Sequence, residues 1–162
     1  MTELLLKLVE VSIWSGIAAV GFGILFNIPK STILSVFALG FLAGIIKFTL
    51  IHFGVSIILA TFVGVLFIGC IGMPIAHKIH HPPVVFCIPP CIPMIPGYFA
   101  YETILAIMNF LIIEQDETKK AALITDMVSN GFTMVFILIS IAIGISLPLL
   151  ILRKNTVKKI EK

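Results

Sequence analysis

The fold of this chain depends on one stretch, CIPPCIPMIPGYFAYE, which runs from Cys87 to Glu102. Its flanks are as apolar as a membrane helix, yet it contains four prolines, a glycine, and then Tyr101 and Glu102. Each proline removes a backbone donor and crowds the preceding turn, and lipid cannot replace the lost hydrogen bond. An interrupted helix here therefore predicts a neighbouring protein surface or a water-filled path.

The composition of the chain is that of a membrane protein. Of its 162 residues, 59% are hydrophobic and only 12% are charged, with a mean hydropathy of +1.18. Soluble domains carry about a quarter charged residues, so we expect an integral membrane protein without a soluble domain. The net charge of +3 comes mostly from the C-terminal tail, which bears on orientation and gives no reason to expect a nucleic-acid partner.

The apolar runs predict an all-α fold with about five transmembrane helices, because about 20 helical residues cross the hydrocarbon core. Gly64, Gly69 and Gly72 are the positions in the third span where we expect neighbouring helices to pack closely. We interpret residues 1–162 as one membrane domain that ends in a basic cytoplasmic tail, residues 153–162. The predicted spans are residues 8–27, 32–52, 55–75, 84–113 and 121–152.

The fourth run is too long for one straight span, since its length as a helix would be about 45 Å. We interpret it as two half-elements that are broken near residues 93–97, at the Pro-x-x-Pro-Gly motif. Proline suits the first turn of the restarting helix, whose free N–H groups, from Gly97 onward, and positive dipole end attract anions. The alternative is a proline-rich interfacial loop followed by an ordinary span from Gly97.

Orientation follows from the number of spans and the basic residues. Five spans place the termini on opposite sides, and the tail carries five of the eleven Lys and Arg residues. Basic residues stay on the cytoplasmic side. We therefore expect a multi-pass protein of the cell (inner or plasma) membrane with its N-terminus outside and its C-terminus in the cytoplasm.

Ionisable residues inside apolar runs are candidates for a transport path. Glu102 lies deepest and is the first candidate for proton coupling, and Asp126 is the second. The alternatives are a Glu102–Lys47 pair that serves packing only, and interfacial positions for Asp126 and Lys47. Asn130 and Thr133 share a helix face with Asp126, and this polar stripe serves either function or hydrogen bonding between helices.

Two sets of residues have the spacing of metal ligands without predicting a metal site or a cofactor. Cys87 and Cys91 are four residues apart but are separated by prolines, and small apolar packing is the simpler interpretation. His77, His80 and His81 lie in a short loop between spans, where solvation is expected. No Gly-x-Ser-x-Gly or His-Glu-x-x-His pattern is present, so we do not expect an enzyme.

The motif from Pro93 to Gly97, with Tyr101 four residues on, resembles the signature of the threonine/serine exporter family. The chain is most similar to the small subunit of the two-component members, which include a bacterial succinate exporter. The resemblance also includes Phe22 to Pro29, His81-Pro82, and, in the fifth span, Asn130, Thr133, Gly144, Ser146 and Pro148.

The resemblance implies a secondary exporter built from two five-helix modules, whose substrate is threonine, serine or a dicarboxylate such as succinate. The proton motive force would drive export, and the partner would be a larger five-helix subunit with a cytoplasmic portion, with a homo-oligomer as a further arrangement. Glu102 lies outside the family motif. The alternative function is a non-transporting scaffold or regulatory subunit. The implied substrate or pathway residues are Pro93, Pro96, Gly97, Tyr101, Asn130 and Thr133.

Overall fold

The computed structural model describes residues 2–113 and 116–152, and all regular elements in these two ranges are helical. The described residues form two compact units: residues 2–94 with 140–152, and residues 95–139, which we call the hairpin. The α-helices are, in chain order, α1 Thr2–Leu25, α2 Ile33–His52, α3 Ile57–Ile79, α4 Val84–Cys91, α5 Gly97–Met108 and α6 Glu117–Leu152.

The helices account for about five membrane spans. Helices α1, α2, α3 and α6 are each long and apolar enough to cross a membrane. Helix α4, continued by the short 3-10 turn Ile92–Met94, forms a bent pair with α5, which gives a fifth span when the pair is counted as one. The described residues therefore confirm the all-α membrane fold and the helix break at the proline motif.

Helix α3 is central to the first unit, since three of its glycines each face a different helix. A Cβ added to Gly64 would lie 3.4 Å from a backbone oxygen of α2. A Cβ on Gly69 would lie 2.7 Å from Cγ of Pro148 in α6, and one on Gly72 would lie 3.3 Å from Sγ of Cys87 in α4. The predicted close packing at these glycines is confirmed.

Helices α1 and α2 also approach through small residues. A Cβ on Gly40 would lie 2.7 Å from Cβ of Ala19, and one on Gly44, a turn later, would lie 3.1 Å from Cβ of Ser15. The Ser15 hydroxyl donates to the Gly40 carbonyl oxygen at 3.1 Å. Small residues at this spacing let helix backbones approach in membranes, where burial in lipid supplies no force between helices.

The core of the first unit surrounds α4. Phe86 is the largest fully buried side chain of the described residues, and it packs with Leu39 of α2. Met94 is 1% exposed, and Pro89 and Pro90, inside α4, are also buried. Because irregular backbone at membrane depth is tolerated when protein surrounds it, this enclosure explains how the first half of the proline motif is accommodated.

Helix α3 continues through Pro74 and ends four residues after the predicted boundary at residue 75. A proline inside a helix removes one hydrogen bond and does not necessarily end the helix. The helix ends where His80 adopts the left-handed conformation, with φ 59°. The N–H groups of His80 and His81 both donate to the carbonyl oxygen of Ala76, which satisfies the end of the helix.

Helix α6 is continuous over 36 residues and passes through Pro148 without interruption. Its length is about 54 Å, well beyond the roughly 30 Å of a hydrocarbon core. The side chains of Thr125, Asp126 and Ser129, in its first third, are exposed. We therefore expect this polar third to extend beyond the lipid or to face a partner.

The hairpin consists of α5, the π-helical turn Asn109–Ile113 and the part of α6 before residue 140. The two helices meet where a Cβ on Gly131 would lie 3.7 Å from Cγ2 of Thr103. Because a short connection joins them, they run antiparallel. This register determines which of the predicted site residues lie at the same level.

Candidate functional site

The helical run is interrupted by one tight turn centred on Pro96. This residue has φ −81° and ψ 60°, and the N–H of Gly97 donates to the carbonyl oxygen of Ile95 at 2.9 Å. These are the features of an inverse γ-turn. The cause is local, because Ile95 precedes a proline and is therefore disfavoured in the helical conformation.

The turn decides which backbone donors of α5 are available. We predicted a free N–H at Gly97, and this is wrong because the turn uses that N–H. The next helical hydrogen bond runs from the N–H of Ala100 to the carbonyl oxygen of Pro96. Between them, the N–H groups of Tyr98 and Phe99 have no acceptor within the described part of the hairpin. The available backbone donors at the start of α5 are therefore these two N–H groups.

Gly97 itself is exposed, and a Cβ added to it would meet no atom within 4 Å. Packing within the chain therefore does not require glycine at this position. A side chain there would instead obstruct whatever approaches the start of α5 from outside the chain. This makes Gly97 different from the glycines of α3, each of which faces a neighbouring helix.

Three of the predicted site residues lie at one level of the hairpin. Tyr101 precedes Thr103 by two residues, and Thr133 follows Gly131 by two residues, so the antiparallel register places them level with each other. Asn130 is within one helical turn of this level. Tyr101 is 61% exposed, and Asn130 and Thr133 are half-buried.

Two of these three side chains have hydrogen-bonding groups that are available. The Thr133 hydroxyl donates to the carbonyl oxygen of Ser129 in its own helix, at 2.8 Å. The Tyr101 hydroxyl and the Asn130 amide have no hydrogen-bond partner within the described part of the hairpin. Both are partly exposed, so water or a bound molecule can supply their partners.

The two candidates for proton coupling lie at different levels. Glu102 follows Tyr101 in α5 and is half-buried. Asp126 is exposed and precedes Gly131 by five residues. It therefore lies about 7.5 Å nearer than Gly131 to the connection between α5 and α6. The predicted pair of Glu102 and Lys47 would join the two units and stays a prediction.

The first unit contains buried polar residues that sequence reasoning did not bring together. Lys47 is 8% exposed and Thr61 is 0% exposed. Lys47 could be recognised in the sequence as a charge within an apolar run. Thr61 could not, because a threonine in an apolar helix usually forms a hydrogen bond with its own backbone. Pro93 also belongs to this unit, in the turn Ile92–Met94.

The cysteines and histidines do not form a metal site in the described ranges. No group of three or more His, Cys, Asp or Glu side chains in residues 2–113 and 116–152 is arranged to hold a metal ion. Cys87 and Cys91 are buried in α4, where they pack with the core of the first unit.

Comparison with known proteins identifies the family. Residues 11–151 match the family described as threonine/serine exporter, ThrE. The chain belongs to the threonine/serine exporter family. The match includes residues of both units and each of the predicted site residues, and it confirms the resemblance to this family.

One relative is about twice as long as the region that it shares with this chain. An uncharacterised protein of Haemophilus influenzae is 31% identical over 148 residues, which are 91% of this chain and 48% of that protein. The chain thus spans about half the length of the curated relative it matches. No solved structure matches the chain.

Membership of the threonine/serine exporter family, together with the apolar helices, indicates a multi-pass membrane protein. It points away from an enzyme. In the described part of the hairpin, polar groups without a hydrogen-bond partner lie at two places. These are the start of α5 and the level of Tyr101.

Proposed function

We propose that this chain is the small membrane subunit of a two-component secondary exporter of small carboxylate metabolites. The candidate substrates are threonine and serine, or a dicarboxylate such as succinate. The observation that carries the proposal is the restart of the helix at Gly97, which leaves the N–H groups of Tyr98 and Phe99 without acceptors in the hairpin. Transporters hold carboxylates at such half-helix N-termini.

The side chains near this end of α5 suit the same class of substrate. Tyr101 lies one turn after Gly97 and offers a hydroxyl donor, and Asn130 offers both a donor and an acceptor. The open space at Gly97 lets a carboxylate approach the backbone. We assign the carboxylate to the two N–H groups and the rest of the substrate to Tyr101 and Asn130.

The two-component part of the proposal rests on the resemblance to the two-component members and on the number of spans. About five spans rarely enclose a transport path, and the region aligned with the longer relative is 48% of that relative. We propose that a larger subunit, with five helices and a cytoplasmic portion, supplies the other half of the path. Exposed aromatic residues of the hairpin, such as Phe132 at 61%, are available for that contact or for lipid.

The mechanism we propose is alternating access driven by the proton motive force. Repacking of the interrupted element around Pro96 would open the site to one side and then to the other. Glu102 is the proposed proton carrier, since it lies beside Tyr101, whereas Asp126 is about two turns closer to the connection.

Efflux from cells tests this function. The chain and a candidate larger membrane subunit of the same family are expressed alone and together in cells loaded with radiolabelled threonine or succinate. Export is expected only when both are present, and a protonophore is expected to stop it. Full export by the larger subunit alone would show that this chain is a scaffold or a regulator.

We also propose that the protein lies in the cell (inner or plasma) membrane with its N-terminus outside. A cysteine replacing Asp116, just before α6, should then react with an impermeant reagent added outside intact cells. A cysteine replacing Asn155, in the tail outside the described residues, should react only after permeabilisation. The opposite pattern would invert the orientation.

A further inference from the structure

An apolar pocket lies in the first unit, between the end of α1 and helix α4. Its volume is about 300 Å³. Phe26 is 55% exposed, and Val84 and Ile88 are also exposed, so the pocket faces whatever surrounds this part of the first unit. All of the lining side chains are apolar: Phe26, Ile28, Val84, Val85, Ile88 and Pro89.

The first wall of the pocket is formed where α1 ends. Asn27 adopts the left-handed conformation, with φ 53°, and its N–H donates to the carbonyl oxygen of Ile24 at 2.9 Å. The N–H of Ile28 donates to the carbonyl oxygen of Gly23 at 3.1 Å. These two bonds form a Schellman motif, in which the residue after the left-handed one packs back on the helix. Ile28 packs over Gly23 in this way, which fixes the α1 side of the pocket.

The second wall is the exposed face of α4. Val84 and Ile88 are four residues apart and therefore share one face of the helix. Phe86 and Cys87, on the other face, are buried in the core. The pocket thus follows α4 from its start at Val84 to Pro89, which is about 7.5 Å along the helix.

The pocket lies at one end of the first unit. Its lining residues adjoin both the α1–α2 connection and the α3–α4 connection, so these two connections lie at the same end. Helix α6 points toward this end as well. A Cβ on Gly69 would contact Pro148, and one on Gly144 would lie 3.1 Å from Cγ1 of Val65, so α3 and α6 run in the same direction. The tail that we propose to be cytoplasmic follows α6 in the sequence.

The ionisable side chains of these two connections are all basic, and we call residues 26–32 and 77–83 the basic end. Lys30 is exposed and follows the lining residue Ile28 by two residues, which limits the distance between their Cα atoms to about 7 Å. Lys78 is also exposed, in the last turn of α3. Neither lysine forms a salt bridge with a described residue. The sequence contains no Asp or Glu between Glu10 and Glu102.

The opposite end of the first unit has a different charge pattern. A second pocket there, of about 240 Å³, includes Lys7 and His52. Glu3 and Glu10 of α1 are exposed and lie within one turn of Lys7, so this cation has acidic neighbours. Glu10 is about 22 Å along α1 from Leu25, well beyond the Debye length of about 8 Å at physiological ionic strength. Its carboxylate therefore does not compensate the lysines of the basic end.

We propose that the apolar pocket and Lys30 form a binding site for an anionic phospholipid. One acyl chain lies along the pocket, and the phosphate group lies at Lys30, with Lys78 as a more distant second cation. Basic pockets between membrane helices on the cytoplasmic side bind such headgroups. A chain that enters the pocket from the bilayer exchanges one hydrocarbon environment for another. The pocket therefore fixes the position of the lipid, and the lysines select its charge.

Charge complementarity decides between this lipid and the tail of the chain as the occupant. The tail, residues 153–162, carries five Lys and Arg residues against one Glu, so like charges disfavour it beside Lys30. The lipid site goes beyond the proposed exporter function and does not depend on it. It is formed by residues of the first unit alone, whereas the proposed carboxylate site lies in the hairpin.

Fluorescence quenching by brominated lipids tests the proposal. The full-length chain has one Trp, so the double change Trp14→Phe and Phe26→Trp moves the fluorophore to the pocket wall. This protein is reconstituted in vesicles of phosphatidylcholine and phosphatidylglycerol, with one or the other lipid brominated on its acyl chains. We expect the anionic lipid to be preferred about fivefold, which is the effect of about one lysine near the membrane surface. The preference should decline in high salt.

Four further changes in the same background locate the site. Lys30→Met should remove most of the preference, and Lys78→Met should reduce it by less. Lys7→Met, in the pocket at the opposite end, should leave it unchanged. Ile88→Phe fills the pocket but keeps both lysines of the basic end, and it should also abolish the preference.

The opposite outcomes overturn the proposal. A preference that persists in Lys30→Met would exclude this lysine as the phosphate ligand. One that persists in Ile88→Phe would show that the charged surface attracts lipid without the pocket. If Ile88→Phe does not fold, Val84→Phe at the outer end of the pocket takes its place. Equal quenching by both lipids also overturns the proposal, as does loss of quenching when a candidate larger subunit binds, since the pocket would then be a subunit contact.

Discussion

The first unit buries its side chains closely, whereas the start of the hairpin leaves its side chains exposed. In the first unit, Phe86 is completely buried and Gly69 has no room for a side chain. In the hairpin, Tyr98 is 68% exposed and a Cβ on Gly97 meets no atom within 4 Å. The difference teaches that the first unit holds the fold through close packing, whereas the start of the hairpin leaves polar and aromatic groups to contacts outside the chain.

The largest effect on stability is expected at Phe86. Its replacement by alanine leaves a cavity among α2, α3 and α4 and should lower the free energy of unfolding by about 3 kcal/mol. The matched change Tyr98→Ala in the hairpin should shift it by less than about 0.5 kcal/mol. Unfolding in mixed detergent micelles measures both values, and equal losses would remove the contrast between the units.

A smaller loss is expected at Gly69. A methyl group there would lie 2.7 Å from Cγ of Pro148, so Gly69→Ala must push α3 and α6 apart and should cost about 2 kcal/mol. Gly21 of α1 is the control, since a Cβ there meets nothing within 4 Å. Gly21→Ala should stabilise the helix by about 0.5 kcal/mol. Destabilisation by both changes would mean that helix propensity, rather than contact, decides.

In the hairpin, effects should appear in transport rather than in stability. Tyr101→Phe removes a hydroxyl that has no partner in the described part of the hairpin, so the melting temperature should not change. Loss of a hydrogen bond to a charged substrate should raise the half-saturating substrate concentration for efflux about tenfold. Tyr98→Phe removes a hydroxyl from a similarly exposed side chain and should have no such effect. Identical efflux in both variants would remove Tyr101 from the site.

The smallest effect concerns the start of α6. The carboxylate of Asp116 accepts hydrogen bonds from the hydroxyl and the N–H of Thr118, at 2.8 and 3.0 Å, and these bonds lower the pKa of Asp116. A lowered native pKa means that this stabilisation is present above the unfolded pKa and is lost as the pH falls through the native pKa.

Asp116→Ala should therefore lower the melting temperature slightly at pH 7. The difference from wild type should begin to decline below about pH 4, near the unfolded pKa, and disappear below the native pKa. Melting curves of both proteins between pH 7 and about pH 2 measure it, and a difference that does not decline with pH would show that the carboxylate is not the stabilising group.

Much of the fold could be predicted because the local composition of the chain indicates where its membrane helices lie. A run of about 20 apolar residues must form a helix in lipid to satisfy its own backbone. The break at Pro96 was equally local, since it follows from the chemistry of proline and of the residue before it. The end of α3 was less predictable, because Pro74 lies within a helix that His80 ends.

The candidate site could be predicted only in part. The motif from Pro93 to Gly97 indicated where the backbone would be irregular, but hydrogen bonding alone decides that the Gly97 N–H is used and that those of Tyr98 and Phe99 are available. Lys47 was visible as a charge in an apolar run, whereas the unpaired hydroxyl of Thr61 was not.

The amino-acid sequence by itself determined the membrane class, the number of spans, the position of the helix break and the family. These properties depend on residues that are neighbours along the chain. Only the tertiary structure decided that Gly64, Gly69 and Gly72 face three different helices, and that the side chains of Lys47 and Thr61 are buried. The physical reason is that such contacts depend on the register between helices, which side-chain packing selects and which no local run of sequence specifies.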